Sequence, residues 1–219
     1  MLKYILFDVD GTISDTSEGI LNGFLYALPR LGLPVPDDKQ ALRPLIGPPL
    51  TRSLMERYGI SREAAEEGLR LYREYYGPIG TAECFPYPSI PALLTELREA
   101  GVTLMTATSK AEPFTRAALS HLGLTDAFDF LGCADMANLR REKEDVIAHI
   151  LAHFPDMNGG NTVMVGDRVY DIIGAHLHRL PVIFCTYGFA RPGETEGQSP
   201  DYTVDSVAAL RATLMHMIK

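Results

Sequence analysis

From residue 85 onward the chain alternates short apolar runs with stretches of helical periodicity, and this alternation is the strongest constraint on its fold. Strand-like runs at 102–107, 128–132, 162–165 and 182–185 are separated by helical stretches at 90–100, 111–122, 142–154 and 170–178, and 207–218 forms a last amphipathic helix. Repeated β-α units of this length predict a parallel sheet covered by helices on both faces, with right-handed crossovers. A further run, residues 4–7, is too short for a helix and rich in strand formers, so it reads as a buried strand of the same sheet. Between them lies a block with helical texture and no strand: 16–31, a short segment 37–43, 50–58 closed by Gly59, and Ser61 to about Tyr76. The expected fold is therefore α/β, a Rossmann-like core made of residues 1–14 and 85–219, interrupted by an all-helical insertion at 15–84. The irregular stretch 188–203, carrying Gly, Pro, Glu and Ser, is expected to be a surface loop.

The first strand ends on Asp8-Val9-Asp10-Gly11-Thr12. Alternate strand residues share a side, so Asp8 and Asp10 point the same way if the strand continues. Two carboxylates ~4 Å apart repel by roughly 4 kcal/mol at an effective dielectric of ~20. A fold keeps such a pair when something offsets it, most simply a divalent cation. An ordinary Asp-Gly turn is the alternative, and the other strand ends decide between them.

In open α/β sheets ligands bind beyond the carboxyl ends of the strands. The second strand is followed by Thr108, Ser109 and Lys110. The strand at 162–165 is followed by Gly166, Asp167, Arg168 and, one helical turn later, Asp171; Lys143 sits near the start of the helix at 142–154. Three strand ends thus carry four carboxylates, two hydroxyls and a nearby ammonium, the set that phosphoryl transfer needs. Oxygen-only ligands favour Mg²⁺. Asp8 and Asp167 would supply carboxylate oxygens, Asp10 a backbone oxygen, and Asp171 a water-mediated contact or a brace. Asp8 is assigned as the nucleophile that forms an aspartyl-phosphate, and Asp10 as the acid and then base. Thr108 and the Ser109 N–H would hold phosphate oxygens, with Lys110 as a further phosphate contact or a partner for nearby acids, and Lys143 would offset the charge of the transferring group.

These four segments, Asp8-Val9-Asp10-Gly11-Thr12, Thr108-Ser109-Lys110, Lys143 and Gly166-Asp167-Arg168-x-x-Asp171, resemble the motifs of the haloacid dehalogenase superfamily of phosphatases, over nearly the whole chain. Ile46-Gly47-Pro48-Pro49-Leu50, Ala107 to Lys110 and Gly174-Ala175 are similar, more narrowly, to its phosphoglycolate-phosphatase-like and 5′-nucleotidase-like group. Tyr170 and the bulky, charged segment 139–142 depart from that group's pattern. The resemblance implies that the insertion is a helical cap that covers the site and selects substrate. Gly47 and Arg52 are the cap candidates for substrate contact, with Glu18, Asn22, Arg43 and the tyrosines of the cap helices as further possibilities. Tyr72, Tyr75 and Tyr76 are expected to be packing residues.

Composition narrows the partners. The 219 residues suffice for one sizeable core or a core plus a small second domain, and 46% hydrophobic with 22% charged residues is globular. A net charge of −8 argues against nucleic acid or an anionic membrane as principal partner, so an anionic substrate needs a local positive site. The three dispersed cysteines, Cys84, Cys133 and Cys185, suggest reduced thiols filling the core of a cytoplasmic protein. No signal-peptide pattern and no apolar run near the ~20 residues of a membrane span is present. His149 and His153, spaced i, i+4, lack the Glu of a zinc-protease motif and are read as flank residues, and Arg140-Arg141 as an exposed pair.

The function expected is Mg²⁺-dependent hydrolysis of a small phosphorylated metabolite, a nucleoside monophosphate or a phosphoglycolate-like monoester, by a monomer or weak dimer. A phosphosugar mutase would use the same aspartyl-phosphate and pass it to a sugar hydroxyl. A receiver-like signalling domain also places Asp, Thr/Ser and Lys at strand ends, but it is shorter, lacks an insertion, and takes its phosphate on a mid-chain strand.

Overall fold

The computed structural model describes residues 1–137 and 139–219. In chain order the elements are β1 (Tyr4–Phe7), β2 (Ser14–Asp15), α1 (Ser17–Arg30), α2 (Leu50–Tyr58), α3 (Arg62–Tyr76), β3 (Phe85–Pro86), α4 (Ile90–Glu99), β4 (Thr103–Ala111), α5 (Glu112–His121), β5 (Phe130–Ala134), α6 (Lys143–His153), β6 (Thr162–Gly166), α7 (Val169–Leu177), β7 (Val182–Cys185), β8 (Tyr202–Val204) and α8 (Val207–Ile218). Six of the strands form one sheet in the order β5-β4-β1-β6-β7-β8, parallel at every pairing. β1 lies between β4 and β6, so the ends of these three strands, which carry the acidic and hydroxyl motifs, are adjacent.

Burial on both faces explains the apolar strands. Ile5, Phe7, Val163 and Val165 pack with Leu93, Leu97 and Leu210 on one side. Leu6, Met105 and Met164 pack with Val146, Ile150 and Ile172 on the other. The insertion has its own core, in which Phe24 and Leu28 of α1 meet Leu54 of α2 and Leu71 and Tyr72 of α3. Gly23 lets α1 and α3 approach closely: a Cβ there would lie 2.5 Å from the Tyr72 ring.

Several expectations are corrected in detail. The block between the first strand and residue 85 is bounded by strand after all, because β2 and β3 pair antiparallel, Ser14 with Pro86 and Asp15 with Phe85. The chain leaves and re-enters the core through this two-residue ribbon. Residues 39–45 form a 3₁₀ helix, with Pro44 unable to donate an α-type bond and the Asp38 carboxylate accepting from the Gln40 N–H. β4 runs on through Thr108, Ser109 and Lys110, with its register against β5 shifting between Thr108 and Ala111. The stretch 188–203 is only partly a surface loop: Phe189 is buried and β8 supplies the sixth strand. Among the described residues no helix is long and apolar enough to cross a membrane. Cys84, Cys133 and Cys185 are unpaired and buried.

Candidate active site

Asp8 leaves β1 with its N–H donating to Val165 O at 2.9 Å, which fixes it beside the end of β6. The Val9 N–H donates to Asp8 Oδ1 at 2.8 Å. The chain then turns at Gly11, whose φ is +86° and where a Cβ would fall 2.1 Å from Asp167 Oδ2. Only glycine satisfies both conditions. Gly188 is equally confined, its Cβ position lying 2.5 Å from the same oxygen.

Asp167 follows β6 and is held at both oxygens: Thr12 Oγ1 donates to Oδ1 at 3.0 Å and the Phe189 N–H donates to Oδ2 at 2.6 Å. Asp171 turns back over the start of α7, where its Oδ2 accepts from the N–H groups of Asp167 at 3.1 Å and Arg168 at 3.0 Å. Such a carboxylate at a helix N-terminus is favourable. Lys143, fully buried at the start of α6, places Nζ 3.1 Å from Asp8 Oδ1, 2.7 Å from Asp171 Oδ1 and 2.6 Å from Ala107 O.

Asp8, Asp167 and Asp171 present carboxylate oxygens that all lie within 4.8 Å of one another. Burial, and then the Asp8 and Asp171 carboxylates, hold Asp167 well above the usual carboxylate range. Burial pushes Asp171 up to about 6 against the pull of Lys143. Burial opposes the charge on Lys143, but Asp171 and Asp8 outweigh it and hold its ammonium above the usual lysine range. Three buried carboxyls therefore share one ammonium, and a bound cation would favour their ionised forms. The donors are hard oxygens, which fits Mg²⁺ better than a soft or imidazole-preferring metal.

Asp10 stands apart from this cluster. Its Oδ1 lies 2.8 Å from Lys110 Nζ, so Lys110 is engaged with an acid and, as the chain stands, is not an open phosphate contact. Lys110 Nζ also donates to the hydroxyl of Tyr76 from α3. Thr108 is buried at the end of β4, its Oγ1 accepting from the Lys110 N–H at 3.3 Å, and with Ser109 it lines the same pocket as Asp8 and Lys143.

The pocket lies between the strand ends and the helical insertion, which supplies Phe24, Gly47, Thr51, Tyr72, Arg73 and Tyr76 to its wall. Tyr72 and Tyr76 stack with ring centroids 5.1 Å apart, and Phe114 meets Tyr76 edge-on at 5.7 Å. Both tyrosines are buried, as packing residues should be, and both also line the site, so the two readings of these cap residues hold together. Tyr75 points away and its hydroxyl donates to Glu83 at 3.0 Å.

Gly47 is in the wall, as expected. Arg52 is not: its guanidinium is 2.6 Å from Glu142 and part-exposed, tying the insertion to the core, while its neighbour Thr51 faces the pocket. Glu18 pairs with Lys39, Asn22 donates to Glu83, and the Arg43 guanidinium sits 5.6 Å from the Phe189 ring centroid. Arg141 is not an exposed residue but a pocket residue 3.0 Å from Glu66, whereas Arg140 Nε donates to Cys133 O at 2.7 Å. His149 and His153 pack their rings 4.5 Å apart beside Phe130.

Comparison with known proteins identifies the arrangement. The model of the haloacid dehalogenase-like hydrolase family matches residues 5–185. Tyrosine-protein kinase PtkA of Mycobacterium tuberculosis is 38% identical over 86% of this chain, which spans only 64% of that protein's length. A 5′-nucleotidase of Pseudomonas aeruginosa is 35% identical over 97% of this chain and 96% of its own. The crystal structure of a predicted phosphatase from Clostridium acetobutylicum superposes with a TM-score of 0.94 at 35% identity, covering 99% of both chains. With its sheet order, its carboxylate cluster and these likenesses, the chain belongs to the haloacid dehalogenase-like hydrolase family.

Proposed function

We propose that the protein is a Mg²⁺-dependent phosphatase that hydrolyses a small phosphate monoester, of nucleoside monophosphate or phosphoglycolate type, through an aspartyl-phosphate on Asp8. The observation that carries this is the buried cluster of Asp8, Asp167 and Asp171, with Lys143 paired to Asp8 and Asp171, whose carboxylate oxygens lie close enough to share one divalent ion. Asp8 and Asp167 would hold the metal, with a backbone oxygen of Asp10, and Asp171 would brace it directly or through water. When bound, Mg²⁺ acts as a Lewis acid that screens the phosphoryl oxygens from the nucleophile.

The chain's own residues do the rest. Asp8 attacks phosphorus as the ester P–O bond breaks. Asp10 gives a proton to the departing oxygen and later takes one from the water that hydrolyses the acyl phosphate, releasing inorganic phosphate. Thr108, the Ser109 N–H and Lys143 hold the equatorial oxygens, which carry most of the transition-state charge. Lys110, at 2.8 Å from Asp10, sets the position of that carboxyl.

Residues 15–84 would act as the lid over this site. Its aromatic wall excludes water, and so strengthens the charge interactions beneath it. The β2–β3 ribbon is the natural hinge, being only two residues long on each side. The test is phosphate release from a panel of phosphorylated metabolites, with Mg²⁺ and with chelator. Turnover that needs Mg²⁺ and no bisphosphate activator is expected. Release that survives chelation, or transfer to a sugar hydroxyl without release, would overturn the proposal.

A further inference from the structure

Arg168 carries a charge that the chemistry above does not use. It is 2% exposed and faces the same pocket as Asp8, Thr108 and Gly47. Its Nε donates to Glu194 Oε1 at 2.7 Å. Glu194 is itself held there, Oε1 accepting from the Val169 N–H at 3.2 Å and Oε2 from the Arg191 N–H at 2.9 Å. The guanidinium is thus clamped along one edge. Its two terminal nitrogens, Nη1 and Nη2, are buried and have no hydrogen-bond partner among the described residues. Leaving charged donors buried and unpaired is costly, and native proteins rarely do so without a use.

Gly47 of the insertion covers that free edge. Its φ is +114°, and a Cβ there would lie 2.0 Å from Arg168 Nη1, so any other residue would push the guanidinium aside. The insertion therefore brings bare backbone against Arg168.

We propose that, once the insertion moves Gly47 off this edge, Arg168 anchors a carboxylate carried by the leaving group of the substrate, and so is a specificity-determining residue that selects phosphate monoesters with a second anionic group over nucleoside monophosphates. Two parallel N–H donors in one plane match the two oxygens of a carboxylate, a geometry that lysine cannot supply. Nucleoside monophosphates carry no second anion to place there. This inference rests on the phosphatase reading for its substrate, and it is tested separately from it.

The first experiment uses the unaltered protein with Mg²⁺ and two unreactive ligands, 3-phosphonopropionate and propylphosphonate, which differ only in carboxylate against methyl. Calorimetric titration should show the carboxylate ligand binding at least roughly tenfold more tightly, the scale expected for a buried bidentate charge pair. In Arg168→Lys and Arg168→Met that preference should fall to about twofold or less, and the ratio of kcat/KM for phosphoglycolate over ethyl phosphate should fall with it. Equal affinity of the unaltered protein for the two ligands would overturn the assignment, whether or not the variants fold. So would an equal loss of both ligands in Arg168→Lys, since Arg168 would then hold the phosphorus end. Preference for the carboxylate ligand without release of phosphate from any monoester would uphold Arg168 and overturn the phosphatase reading. Turnover without that preference would do the reverse.

Discussion

Replacing Asp167 by Asn should stabilise the metal-free protein. Asp167 is fully buried, with the oxygens of Asp8 and Asp171 within 4.8 Å and Lys143 paired to those two rather than to Asp167. At an effective dielectric of ~20, each like-charge pair at such a distance costs roughly 3 kcal/mol. Burial, and then these two carboxylates, hold its folded pKa well above the unfolded value of 3.8. A carboxyl raised on folding binds its proton more tightly in the native state, so stability is lost as pH rises above the unfolded pKa and the loss is complete above the folded one. The slope is about 1.4 kcal/mol per pH unit between the two pKa values. Asparagine removes that charge and keeps the local bonds. Its carbonyl can accept from the Phe189 N–H, and its amide can donate to Thr12 Oγ1 once that hydroxyl rotates. Exchanging a charged for a neutral acceptor costs about 1 kcal/mol, less than the roughly 3 kcal/mol of one like-charge pair, so a gain on the order of 2 kcal/mol is expected at pH 8. Urea denaturation with chelator at pH 8 and pH 5 measures it through the midpoint at constant slope. The gain should shrink toward pH 5. Saturating Mg²⁺ should reverse it, since the unaltered protein gains about 2.7 kcal/mol at a hundredfold excess over Kd and the variant gains less. A metal-free Asp167→Asn protein less stable than the parent at pH 8 would refute this reasoning.

Other perturbations test neighbouring parts of the account. Gly11→Ala should lower stability by several kcal/mol and abolish the Mg²⁺-induced rise in melting temperature, because a Cβ there meets Asp167 Oδ2 at 2.1 Å in a φ that favours glycine; a near-normal thermal scan with metal would contradict it. Asp10→Asn should slow both formation and hydrolysis of the aspartyl-phosphate in pre-steady-state kinetics by roughly 100-fold or more, and a change confined to KM would count against an acid–base role. Tyr76→Phe removes the hydroxyl that Lys110 Nζ donates to, so it should cost about 1 kcal/mol in denaturant titration and alter the pH profile of kcat, since Lys110 also pairs with Asp10; an unchanged profile would show that the insertion does not influence the acid.

The sheet was legible because its strands are short apolar runs between helical stretches, and Asp8, Thr108, Lys143 and Asp167 fall where the topology collects strand ends. What escaped the sequence depends on contacts distant in the chain. β8 has three residues, two of them exposed, so it shows no apolar run. β2 and β3 have two residues each, too few for any periodicity. Phe189 lies in a stretch of loop-forming residues, yet its N–H closes the bond to Asp167. Helical spacing alone does not decide between packing and pocket wall for Tyr72 and Tyr76, which do both, since a large aromatic side chain can be buried by its neighbours and still present an edge to a cavity. Arg168 sits at a helix start that reads equally as solvent-facing, and only Glu194, 26 residues away, turns it inward. Arg52 and Thr51 are chain neighbours on one helix, and nothing short of the helix orientation says which of them faces the ligand.

The central claim is that Asp8 takes up the phosphoryl group. Rapid acid quench during turnover with Mg²⁺, followed by peptide mass analysis, measures this directly. The account predicts a hydroxylamine-sensitive phosphoryl adduct on Asp8 that is missing, with turnover, in Asp8→Asn. An adduct on a different residue, or undiminished turnover by Asp8→Asn, would contradict it.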